Sequence, residues 1–317
     1  MSNNIEEQNI DGASETMYPP KPEVIERNQS SVTRSLLSLF LYALLFYFIF
    51  EANVSYIASV LLVIIVHELG HFAFMRLFHY SNVKIFIVPL LGAFTSGVKQ
   101  QMSQRQLSLV ILGGPVPGIV IACVLIWFNR EWQNDQIKML YQTFLVINIL
   151  NCLPFHPLDG GRLVETLFFK ENFVIRLAFG IFSILAMLMM FVFLMSPILL
   201  IVPVFIGIEL YNENKLNKIR KYLQEEKVDV YVEYNDLSDK HYWLIRDCLL
   251  LSFPKKYRGL QAGQYEYSIY ESLLIQQTKA VLQPNLKFDM GVFAKIMTMV
   301  FYLFIIIAPI LFYYKYR

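Results

Sequence analysis

Apolar residues run in long blocks along this chain instead of alternating with polar ones. The blocks at 35–50, 53–75, 107–128, 139–154, 173–194, 197–211 and 291–314 approach or exceed the roughly 20 residues a helix needs to cross a bilayer. Each predicts a membrane-spanning helix, and the pair flanking Ser196-Pro197 forms either a hairpin or one broken helix. The stretch Val83 to Gly97, "VKIFIVPLLGAFTSG", is too short and too broken by Pro89 and Gly92 to span. Its β-rich halves suit a hairpin or re-entrant loop. "GGPVPG" (Gly113 to Gly118) sets small residues and two prolines inside the third block, where they allow close helix approach or a kink.

The ends are polar. Residues 1–34 hold "YPPKP" at Tyr18 to Pro22 and no basic, apolar, cleavable leader, so a disordered lead-in and an uncleaved first anchor are expected. Within 212–290, "ENKLNKIRKYLQEEK", "SDKHYWLIRDCLLLSF" and "YESLLIQQTKAVL" read as amphipathic helices. Tyr231, Tyr234, Tyr242, Trp243, Tyr257, Tyr265, Tyr267 and Tyr270 crowd that region, which suits a small core or a docking surface. The expected fold class is an all-α polytopic membrane protein with about six to seven transmembrane helices, a membrane-associated β-hairpin or re-entrant loop and a small helical cytoplasmic region. The expected organisation is a lead-in (1–34), a membrane core (35–211), a mostly helical region whose role the sequence leaves open (212–290) and a terminal anchor (291–317).

A chain that is 56% hydrophobic and 16% charged agrees with that class. Arg76, Lys84, Lys99, Arg105, Arg162, Lys170, Arg176, Lys215, Lys218, Arg220 and Lys221 fall in alternate loops, while the intervening ones carry only Arg130 and Lys138. The positive-inside rule then puts the N-terminus in the cytoplasm. Net charge of +2 with no basic block gives no sign of nucleic acid binding. Cys123, Cys152 and Cys248 are too scattered for a metal pair and read as packing residues.

One block carries chemistry. His67-Glu68-Leu69-Gly70-His71 interrupts the second span, about 14 residues or roughly 21 Å into a core about 30 Å thick. Residues four apart share a helix face, so both imidazoles can reach one Zn²⁺ while Glu68 reaches a water as general base. Ionisable groups at such depth are expensive and are functional candidates by default. A catalytic zinc site needs a third protein ligand. Phe74 and Leu77 stand where a glycine and a histidine would complete a soluble zinc-protease pattern, and His79 is roughly 12 Å along the helix, placing it at the interface. "NILNCLPFHPLDGGR" (Asn148 to Arg162) offers Asp159, in a stretch that Pro154 and Pro157 break, near the same membrane boundary. A plain helix cap is the competing role for Asp159. His156 is read as an interfacial bystander or a partner to a ligand.

These two motifs together resemble those of the site-2 protease family of intramembrane zinc metalloproteases: a helical HExxH, then Asn151-Cys152-Leu153-Pro154 leading to Asp159-Gly160. The resemblance covers about residues 35–211. It implies Zn²⁺ held by His67, His71 and Asp159, Glu68 as base, and Asn151 on the substrate carbonyl or oxyanion. It further implies a hairpin beside the active site and a lipid-embedded membrane-protein substrate cut within or near a transmembrane segment. A secondary transporter, a membrane di-iron oxygenase, which needs more histidines than the five present, and a relative that binds without cutting are the rival classes. None accounts better for an intact His-Glu-His set.

Overall fold

The computed structural model describes residues 18–24, 53–88, 92–99, 101–169, 172–194, 200–283 and 285–316. The expected first span, 35–50, lies outside them. The chain divides into two compact units, one of Met1–Arg27 with Glu209–Asn285 and one of Asn28–Ile208 with Leu286–Arg317.

The larger unit opens with α1 (Val54–Leu77), started by Asn53, whose side chain accepts from the Ser55 N–H. Its buried stripe includes Val60, Val63, His67, Glu68, Gly70, His71 and Met75, whereas Leu62, Ile65 and Leu69 are exposed. That inversion of the soluble pattern is what lipid imposes: apolar side chains face out and the costly groups face protein. The predicted hairpin forms from β1 (Ser81–Val88) and β2 (Gly92–Val98), antiparallel, with Ile85 opposite Thr95 and a register shift between Ser81 and Lys84. The short β3 (Gln101–Ser103) follows.

The expected third span is two helices, α2 (Gln104–Gly113) and α3 (Pro115–Trp132), meeting at Gly114. Pro115 and Pro117 sit in the first turn of α3, where their missing N–H groups cost nothing. Next come α4 (Asp135–Asn151), the short α5 (Asp159–Val164), a π-helical turn (Glu165–Phe169) and α6 (Phe173–Leu194). Val63 of α1, Ala122 and Ile126 of α3, and Tyr141, Phe144 and Leu145 of α4 share one buried cluster. After a short β4 (Asn285–Lys287), α10 (Val292–Tyr316) puts Tyr302 and Ile305 into a second cluster with Leu107, Ile111, Ile119 and Leu163. Val54–Leu77, Gln104–Trp132, Phe173–Val192 and Val292–Tyr316 are the four described helices long and apolar enough to cross a membrane, and the chain is an integral membrane protein.

The division between units falls within α7 (Ile201–Glu225). The expected domain boundary at 211/212 lies inside the same helix: no glycine or proline follows Gly207 until well beyond Glu225, and the helix runs on through the first amphipathic segment. Of the two amphipathic segments that follow, one forms α8 (Asp239–Ser252) and the other α9 (Glu271–Val281). Leu216, Ile219 and Leu223 of α7 pack with Tyr242, Trp243, Ile245 and Leu249 of α8 and Leu274 of α9. The expectation of disorder fails over residues 18–24. They lie as extended chain against this unit, with Tyr18 and Val24 packed on its core.

That contact constrains topology. Residues 18–24 and the unit of Glu209–Asn285 can touch only if both lie on one side of the membrane. Reporters fused at residue 1 and inserted between Lys255 and Arg258 should therefore show the same sidedness in a protease-protection assay; opposite sides would exclude this packing.

Candidate metal centre

Depth and periodicity bring His67 and His71 to one face of α1, a turn apart, with ring centroids 4.9 Å from each other. The break after α4 supplies the third group. Asp159 is the first residue of α5, whose cap position, Leu158, makes no side-chain hydrogen bond. The Asp159 carboxylate does not cap its helix. Its Oδ2 lies 2.9 Å from His67 Nε2 and 3.1 Å from His71 Nε2, and the two Nε2 atoms are 3.2 Å apart. Its Oδ1 accepts from Arg162 Nη1 at 3.4 Å. All three residues are buried, His67 and His71 to 5% exposure and Asp159 to 6%.

The ring hydrogen bonds decide what this triangle can hold. His71 Nδ1 lies 2.8 Å from the Val110 carbonyl, which can only accept, so Nδ1 carries the proton. His67 Nδ1 lies 2.9 Å from Asn148 Oδ1. The Asn148 amide is oriented by its Nδ2, which donates to the Phe144 carbonyl at 2.8 Å, so here too Nδ1 donates. In its neutral form each ring, with Nδ1 as donor, turns an Nε2 lone pair toward the carboxylate. Three electron-pair donors face one another, which is the donor set of a divalent cation. Ligand atoms around tetrahedral Zn²⁺ stand roughly 3.3–3.4 Å apart, only a few tenths of an ångström wider than this triangle. The residues fit the metal that the motifs imply, and they form a possible His-His-Asp metal-binding group.

The walls are as specific as the ligands. Because α2 stops at Gly113, the Val110 carbonyl lies in its last turn and has no intrahelical donor, leaving it for His71. A Cβ on Gly114 would stand 2.4 Å from His71 Nε2 and 2.8 Å from His67 Nε2. On Gly70 it would meet the Gly113 carbonyl at 2.0 Å, and on Gly118 the Asn148 amide at 2.2 Å. The small residues of "GGPVPG" thus let α2 and α3 close over the histidine helix.

Glu68 is buried beside the triangle, and Thr95 Oγ1 of β2 donates to its Oε2 at 2.7 Å. Asn151 is not gathered into this cluster of contacts. Its Nδ2 donates to the Ile147 carbonyl of its own helix at 3.1 Å. His156 pairs instead with Glu165, Nδ1 to Oε2 at 3.6 Å, and His79 lies in the turn after α1 with φ of 59°. Sequence reasoning missed Asn148, Thr95 and Val110, and read Gly114 only as part of a stretch allowing close helix approach or a kink. Asn148 alone carried a readable signal, as a polar side chain inside an apolar helix one turn before Asn151.

Comparisons with known proteins match parts of the chain. Residues 55–132 match the model of Peptidase family M50, the site-2 protease family. Stage IV sporulation protein FB of Bacillus subtilis (strain 168) is 30% identical over 120 residues, 35% of this chain and 39% of that protein. The chain thus matches about two-fifths of the length of that relative. The Site-2 Protease from Methanocaldococcus jannaschii aligns with a TM-score of 0.43 at 19% identity, covering 56% of this chain and 88% of that one.

Two substitutions test the walls. Asn148→Ala frees the His67 ring and should weaken metal binding by about 10–100-fold, as loss of such outer partners does, with the chain still folded. Gly114→Ala drives a methyl against both Nε2 atoms and should abolish stoichiometric metal. Metal content after challenge with graded chelator measures both. Wild-type retention by Gly114→Ala would contradict the geometry.

Proposed function

We propose that this chain is an intramembrane zinc metalloprotease that hydrolyses a peptide bond within or near a transmembrane segment of a membrane-protein substrate. The observation that carries this reading is the convergence of His67 Nε2, His71 Nε2 and Asp159 Oδ2 within 3.2 Å, with both Nδ1 atoms committed as donors. The match of residues 55–132 to a peptidase family supports it.

Zn²⁺ bound by His67, His71 and Asp159 would polarise the scissile carbonyl and lower the pKa of water toward neutrality. The protein supplies the remaining steps. Glu68 takes the proton from the attacking water and delivers it to the leaving amine. Thr95 holds one carboxylate oxygen of Glu68, so that the other is free to face the reacting water. Asn151 has a second amide hydrogen besides the one given to Ile147, and we assign it to the developing oxyanion. A helical substrate hides its carbonyls in its own hydrogen bonds, so it must unwind locally. An extended segment added to the hairpin beside Glu68 would replace the lost hydrogen bonds with strand pairing.

The residues that hold the metal are distinct from the one that moves the proton, and this separates the tests. His67→Ala and Asp159→Ala should lose bound metal. Glu68→Gln should keep it, yet cleave a membrane-embedded substrate at least about 10²-fold more slowly. Intact substrate accumulating in the Glu68→Gln strain identifies what is cut. Cleavage by that variant at the wild-type rate would overturn the assignment. Thr95→Val deletes a hydrogen bond to a charged group worth about 1.5–3 kcal/mol. Turnover should fall about tenfold or more, with Thr95→Ser restoring it and metal content unchanged in both.

The distribution of Lys and Arg supports a cytoplasmic N-terminus and active-site side, with residues 212–290 cytoplasmic as well.

A further inference from the structure

The unit built on Glu209–Asn285 has a second chemistry, unrelated to the histidine cluster. Tyr18-Pro19-Pro20-Lys21-Pro22 lies along a surface formed by Tyr234, Trp243, Tyr265 and Tyr267. Prolines at 19, 20 and 22 fix φ, and each biases its preceding residue to extended geometry, so the segment is pre-set as a polyproline-type strand. Such a strand has almost no N–H groups, and its carbonyls cannot be paired internally. The unit reads those carbonyls one by one. Trp243 Nε1 donates to the Pro19 carbonyl at 2.7 Å, Tyr267 Oη to that of Pro20 at 2.7 Å, and Tyr234 Oη to that of Pro22 at 2.8 Å. The single backbone N–H between Pro19 and Pro22, that of Lys21, donates to Asp239 Oδ1 at 2.8 Å.

The lysine is read too. Its ammonium carries three donors, and three carbonyls surround it: Tyr234 at 2.8 Å, Asn235 at 2.6 Å, and Leu237. The Tyr234 ring lies 5.5 Å from the same nitrogen. Tyr18 adds a ring contact at 4.8 Å to Tyr265, which itself packs on Trp243 at 5.7 Å. Aromatic walls with side-chain donors aimed at prolyl carbonyls are the means by which proline-rich ligands are recognised. More than 200 residues separate the segment from its partners, so chain proximity does not bring them together.

We propose that residues 209–285 form a recognition module for an extended proline-rich peptide bearing a lysine between prolines. Its resident ligand is the chain's own Tyr18–Val24, held in cis and exchangeable for the same sequence supplied in trans. A covalently attached ligand acts at an effective concentration on the order of mM, so the resident segment masks the groove in the intact chain.

The test uses the full chain purified in detergent and a labelled peptide of residues 15–24. In one form of the chain the groove is emptied by Pro19→Ala, Pro20→Ala and Lys21→Glu; in a second it is emptied by deleting residues 1–24. Both emptied forms should bind the peptide at least about tenfold more tightly than the wild type, whose segment competes at high effective concentration. A Lys21→Met peptide should bind the emptied forms at least tenfold more weakly than the native peptide. Adding Trp243→Phe, which keeps a ring and removes the donor to Pro19, should weaken the native peptide severalfold. The peptide binding neither emptied form, binding wild type and emptied forms alike, or ignoring Lys21→Met each overturns the proposal.

Discussion

Two imidazoles and a carboxylate are held with their lone pairs turned inward, inside a helix bundle built for lipid. That is the constraint on which the larger unit depends. Left to choose, each group would rotate to a donor or to water. An aspartate at the bilayer centre alone costs about 2.5–3.5 kcal/mol on insertion scales. Rotation is blocked because each ring is already fastened at its far nitrogen, to Val110 and to Asn148. The proton on each Nδ1 is what makes each Nε2 a ligand, so the outer hydrogen bonds determine the chemistry of the inner atoms.

The neighbouring backbone follows from the same requirement. A carbonyl is available to His71 only where a helix stops, and α2 stops where two glycines precede a proline. Gly114 also removes the side chain that would otherwise fill the space facing both Nε2 atoms, and Gly113 the one that would meet the Phe74 ring. Gly118 does the same for Asn148 one turn into α3. The glycine- and proline-rich stretch is thus neither a simple kink nor generic close packing. It shapes one wall of the histidine cluster and supplies one of its acceptors.

How far this could be read in the sequence follows from what leaves a pattern there. Helix periodicity fixes the relation of His67 to Glu68 and His71, and proline with glycine marks the break that carries Asp159. The hairpin was legible from its β-rich halves and its breakers. Partners that act through a single atom leave no such trace. Val110 contributes a carbonyl that any residue would have, and Thr95 is one threonine in a β-rich segment. Gly114 was visible as a glycine, but its significance lies in a ring on another helix that any Cβ there would meet at 2.4 Å. The end of the helix that crosses the expected boundary at 211/212 was hidden for a related reason. Hydropathy changes near residue 211, but a helix ends only where capping or backbone chemistry ends it, and α7 continues to Glu225.

Residues 18–24 escaped the expectation of disorder because composition weighs a segment by itself. Residues 1–34 lack the apolar content to fold alone, and proline enrichment ordinarily marks disorder. Proline also lowers the entropy a segment loses on docking and leaves its carbonyls unpaired, so a complementary surface has something to bind at small cost. The aromatic excess of the C-terminal region supplies that surface, in Trp243 and tyrosines whose polar tips reach the prolyl carbonyls. The same device serves both units. A carbonyl deprived of its backbone donor, by a helix stop at Val110 or by imino nitrogens around Pro19 to Pro22, becomes a directional acceptor that one chosen side chain can address. In the membrane unit that side chain is a histidine whose opposite nitrogen is thereby aimed at the cluster. In the other unit it is a tryptophan or tyrosine, and what it holds is the segment Tyr18 to Val24.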